Sequence, residues 1–100
     1  MAFENSYVVR TSRLKREASA HARKRMAQRG VGDVDLRLVL AFGEETHDGR
    51  GGVRYTMTSA AMDRLRAAVG HTPKVDRLAG VYAVLSTEDG AVITVGHRYN

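Results

Sequence analysis

The sequence predicts an α+β domain: an N-terminal helical hairpin and one further helix packed on a small antiparallel sheet that ends in a β-hairpin. Three observations lead there. Apolar side chains in the first part of the chain recur at helical spacing. The stretch "EETHDGRGGVRYTMT" reads as strand, glycine-rich turn, strand. The last quarter, "LAGVYAVLSTEDGAVITVGHRY", holds two β-branched runs around Asp89-Gly90.

Each element follows from its residues. Ser12 to Gln28 has no Gly or Pro and is rich in good helix formers, so a first helix is expected there, starting as late as Ser19. Leu14, Ala18, Ala22 and Met26 recur every four residues as a narrow apolar stripe, and Gly30 suits the stop. A second helix is expected from Asp33 to Phe42, with Asp33 and Asp35 in the first turn, where carboxylates suit the helix dipole. Val34, Leu38, Val39 and Phe42 give its period. In the central strands Val53, Tyr55 and Met57 share one face. "SAAMDRLRAAVG" reads as a third helix, capped by Thr58 or Ser59, stopped by Gly70, and packed through Met62, Leu65 and Val69.

For the final hairpin, Asp89-Gly90 is a two-residue turn signal. Pairing about it sets Ser86 opposite Ile93, Val84 opposite Val95 and Tyr82 opposite His97. Tyr82, Val84, Ile93, Val95 and His97 then share a face. The expected order is α-α-β-β-α-β-β, with the helices on one face of the sheet.

Residues 1–100 form one domain by size, with 1–11 left open between a disordered arm and an edge strand. Apolar residues make up 43 %, a globular composition. The absence of cysteine excludes disulfides and thiolate metal sites. Four scattered histidines do not suggest a metal site, and no glycine-rich stretch fits a nucleotide loop, so neither metal nor cofactor is expected. Apolar runs are too short for a membrane span and no secretory leader is evident, which makes a cytoplasmic protein the expectation.

The net charge of +5 is unevenly placed. Residues 1–30 hold eight Lys/Arg against two acids, and residues 31–100 hold eight against nine. The entire excess lies in the first third. A one-sided basic field favours a polyanion, either RNA or an acidic protein partner such as an antitoxin or nucleoprotein. Within "HARKRMAQRG", His21, Arg25 and Arg29 are spaced i, i+4, i+8 and fall on one helix stripe, flanked by Arg23 and Lys24. An imidazole and two planar guanidinium forks in a row form a comb suited to phosphate oxygens.

The stretch "HARKRMAQRGVGDVDLRLVLAFGEE" resembles the opening of a widespread, mostly uncharacterised bacterial and phage family. Its members begin His-Ala-x-x-Arg-Met-x-x-Arg-Gly-Val/Ile, followed by an acidic helix start and a Gly-Glu step. The tail "EDGAVITVGHRY" resembles that family's last hairpin. The family is grouped with the RelE/BrnT-like toxins, small ribonuclease folds of two helices against a curled antiparallel sheet. The likeness covers residues 19–46 and 79–99. This chain departs from the pattern at Gly32, where Ser or Thr is the more usual cap, and in the central segment 58–77, which looks like an added helix and loop.

Two functions are expected, the first from the basic face and the second from the resemblance. One is a basic-faced module that engages RNA or an acidic protein without catalysis. The other is a metal-independent endoribonuclease, in which His21 and His97 serve as base and acid around a phosphate neutralised by Arg25 and Arg29. Tyr55 or Tyr82 would then stack a base or donate a proton.

Overall fold

The computed structural model describes residues 19–98. The expected arm at 1–11 and the early start of the first helix lie outside them. Helix α1 spans Ala20–Arg29 and α2 Asp33–Phe42. Strands β1 (Glu44–His47) and β2 (Gly52–Thr56) follow, then α3 (Ser59–Val69), a short α4 (Pro73–Asp76), and strands β3 (Val81–Ser86) and β4 (Val92–His97). The four strands form one antiparallel sheet in the order β1-β2-β3-β4. The α+β architecture is as the sequence predicts, with one helix more.

Local chemistry sets the helix limits. Ser19 caps α1 by accepting the Ala22 N–H at 3.0 Å. Gly30, at φ 66°, closes it in the left-handed conformation, with Gly30 N–H donating to Ala27 and Val31 N–H to Met26. Gly32 caps α2 without a side chain, and Asp35 compensates by accepting the Gly32 N–H at 3.0 Å. Thr58 caps α3, and Thr72 with Pro73 starts α4.

The core lies between the helices and one face of the sheet. It joins Ala22 and Met26 of α1, Leu36, Val39 and Leu40 of α2, and Ala61, Met62 and Leu65 of α3. The strands contribute Val53, Tyr55, Val81, Ala83, Leu85, Val92 and Val95. Val34 was expected to point inward, yet it is 62 % exposed, as is 48 % of Val69. The buried face of α2 runs through Leu36, Val39 and Leu40. Val34, two residues before Leu36, lies about 200° from it around the helix and so points away from the buried face.

The last hairpin corrects the expected register. Ser86 N–H donates to Ala91 across a four-residue loop, Thr87 to Gly90, and not across a two-residue turn. The cause is side-chain chemistry that a dipeptide signal does not show. Ser86 Oγ accepts the Glu88 N–H and Asp89 accepts the Ala91 N–H. Thr87 spends both its N–H and its hydroxyl on Gly51 O of the neighbouring turn. A β-bulge follows: Leu85 pairs with Val92 but Val84 pairs with Thr94, leaving Ile93 as the extra residue. The longer loop shifts pairing by two, which preserves faces; the bulge shifts it back by one, which reverses them. His97 therefore pairs with Val81 and Tyr82 with Gly96, so Tyr82 and His97 stand on opposite faces.

Candidate nucleic-acid interface

One face of the sheet is taken by the core; the other carries no described helix. Period-two alternation and the register lay out that open face as two rows across the strands. One row is Thr46, Arg54, Val84 and Thr94, and the next is Glu44, Thr56, Tyr82 and Gly96. Arg54 projects from between the buried Val53 and Tyr55, and its guanidinium carbon lies 4.6 Å from the centroid of the Tyr82 ring. The ring in turn lies across Gly96, where a Cβ would meet its Cζ at 2.5 Å. A side chain at this position would displace the ring, which occupies its space.

Helix α1 runs beside β4, the edge strand. Ser19 fastens its start to that edge, with its N–H donating to Val92 O at 3.3 Å and its hydroxyl to Ile93 O at 3.4 Å. One residue pair then links the helix to the open face: His21 Nε2 lies 3.3 Å from Thr94 Oγ1. The Thr46–Arg54–Val84–Thr94 row thus continues into His21. Two strand spacings, about 10 Å, separate the Thr94 and Arg54 positions. Along α1, Arg23, Lys24, Arg25 and Arg29 are all exposed, and Arg25 also donates to Gln28 at 3.4 Å.

The second row opens into a groove of about 770 Å³ between the end of the sheet and the start of α3. Glu44, Thr56, Asp63, Arg66 and Arg98 line it, so its charge is mixed. Thr58 Oγ1 donates to Glu44 across its floor at 3.2 Å.

The remaining residues expected at a site fall elsewhere. Tyr55 is buried on the helix-facing side of the sheet, and its hydroxyl donates to Glu45 at 2.8 Å. His97 also faces the helices, beside Arg29 and Gly30 at the far end of α1. His21 and Arg29 are eight residues apart on that helix, about 12 Å, and the sheet edge lies between the two histidines. His21 and His97 are not brought to one phosphate. Among the described residues, no group of three or more His, Asp or Glu gathers as for a metal ion.

Arg54 and Thr94 were missed in the sequence. Arg54 was legible in "VRYTM" as the polar alternate of a strand with its other face buried. Thr94 was not, because its face depends on the bulge.

A basic helix beside an uncovered sheet face defines a small α+β domain with a cation-rich edge. The chain belongs to the family described as a domain of unknown function, DUF4258, whose model matches residues 18–97. That span takes in α1 and the final hairpin. No curated protein and no solved structure matches the chain. No helix among the described residues is long and apolar enough to cross a membrane.

Proposed function

We propose that this chain is a basic-faced, RelE/BrnT-like binding module that engages RNA without cleaving it. The observation that carries the reading is the His21–Thr94 contact, which joins the cation row of α1 to the open sheet face. The exposed α1 side chains meet phosphates. The Arg54–Tyr82 stack offers a flat, cationic platform to an unstacked base, which favours single strands over duplex. An acidic protein would use the same cations but has no need of that platform. A ribonuclease reading needs an acid and a base on one phosphate, and the opposed placement of His21 and His97 takes away the histidine pair it was expected to use. Such a module works where RNA is, in the cytoplasm of a bacterium or a phage-infected cell.

The test is fluorescence anisotropy with labelled oligouridine and, separately, with an acidic peptide, beside a gel assay of RNA integrity. Salt-sensitive binding of intact oligouridine, tighter than for a duplex, is expected. Preference for the acidic peptide would overturn the choice of partner. Cleavage abolished by His21→Ala would overturn the absence of catalysis.

A further inference from the structure

Around the far end of α1, basic side chains from separate parts of the chain converge on one small cup. Arg29 comes from the last turn of α1, Lys74 from α4, Arg77 from just after α4, and His97 from the end of β4. Gly30, Val31, Leu78 and Val81 complete the wall. The cup holds about 40 Å³, room for roughly three water-sized spheres, which is the scale of one tetrahedral oxyanion and too small for a nucleoside.

The cations of this cup, Arg29, Lys74 and Arg77, outnumber its one carboxylate. Among the described residues, none of Arg29, Lys74 and Arg77 has an ion-pair partner, whereas Arg66 pairs with both Asp63 and Asp76. The one carboxylate on the wall, Asp35, is turned to the Gly32 N–H. The end of α1 accounts for only part of this charge: cations suit the negative end of a helix dipole, but Arg29 alone of the three belongs to α1. Its carbonyls at Met26 and Ala27 are already met by Val31 and Gly30 N–H groups. The Arg77 guanidinium lies over Gly30, 3.2 Å from where a Cβ would be. Three cations around one carboxylate leave a net repulsion, and guanidinium forks match the oxygens of a phosphate.

We infer that the Arg29–Lys74–Arg77–His97 cup is a phosphate-binding site. Resting on the RNA reading above, it extends the α1 row: Arg29 belongs to both, so a strand whose phosphates follow Arg25 and Arg29 delivers its next phosphate to the cup. It also gives the central segment 58–77 a task, because α4 brings Lys74 and Arg77 to the end of the helix.

Two measurements test it. The first is an amide NMR titration with inorganic phosphate at constant ionic strength, against a chloride control. Shifts confined to Gly30, Val31, Lys74, Arg77 and His97 in the wild type, and lost in K74A/R77A, are expected. The second is the salt dependence of oligouridine binding. The slope of log K against log salt should fall by about 0.7 in K74A/R77A, from one lost phosphate contact on a single strand. Phosphate shifts with an unchanged slope keep the cup but assign it to free phosphate. Phosphate shifts without any RNA binding keep the cup and reject the RNA reading. Normal RNA binding, with an unchanged slope and no phosphate shifts in the cup, rejects the cup and keeps the RNA reading. A thermal melt confirms that the variant is folded; both replaced side chains are exposed.

Discussion

The Tyr82 ring lies across Gly96, its cross-strand partner, so closely that the Cζ atom would stand 2.5 Å from a Cβ at that position. Gly96→Ala must therefore push the ring aside and with it the guanidinium of Arg54. A half-buried ring at the open face has solvent to move into, so the fold should survive with a loss of about 1–3 kcal/mol, as for an overpacked site. Oligouridine affinity should drop several-fold with no change in salt slope, because phosphate contacts are untouched. An unchanged affinity would show that the Arg54–Tyr82 stack takes no base.

The buried stripe of α2 gives a paired stability prediction. Leu36 is 4 % exposed and Val34 62 %. Leu36→Ala should cost about 2–5 kcal/mol, and Val34→Ala should stay within about 0.5 kcal/mol. Urea unfolding of both variants checks this. Equal losses would restore the stripe through Val34 that the sequence suggested.

These two cases mark what the sequence made legible. Helical elements with strong local signals were readable to within a residue or two: Asp33 to Phe42 between two glycines, and Ser59 to Val69 between Thr58 and Gly70. The short α4 was overlooked, although Thr72-Pro73 is a helix start, since four residues show no periodicity. The face of α2 was misjudged because Val34 and Leu38 fit the helical period as well as Leu36 and Leu40 do, and only packing chooses between the two sides. The site suffered most. Its faces depend on a four-residue loop held by Thr87 and Gly51, and on one bulged residue, Ile93. The loop is held both by its own Ser86 and Asp89 side chains and by Thr87 on the neighbouring turn, and a one-residue shift at the bulge moved His97 from the surface shared with Tyr82 to the other side.

Asp76 ties α4 to α3, accepting from Arg66 at 3.1 Å and lying 2.9 Å from His71 Nε2. Desolvation raises its carboxyl pKa, but the hydrogen bonds and charges of His71 and Arg66 outweigh it, and the net shift is below the ordinary 3.8. A carboxyl lowered on folding stabilises above its unfolded value and loses that contribution as pH falls through the folded one. Asp76→Asn should thus lower Tm at neutral pH, and the gap to wild type should close below pH 3.8. Thermal melts across that range check the prediction; a gap that persists in acid would assign the loss to packing.

The central claim is that the exposed cations of α1 meet RNA phosphates. It is tested most directly by the salt dependence of oligouridine binding in the wild type and in Arg25→Ala/Arg29→Ala. Salt-sensitive binding is expected in the wild type, with weaker binding and a slope shallower by about 1.4 in the double variant, as two contacts are lost. Wild-type binding that ignores salt, or a double variant with the wild-type slope, would contradict it.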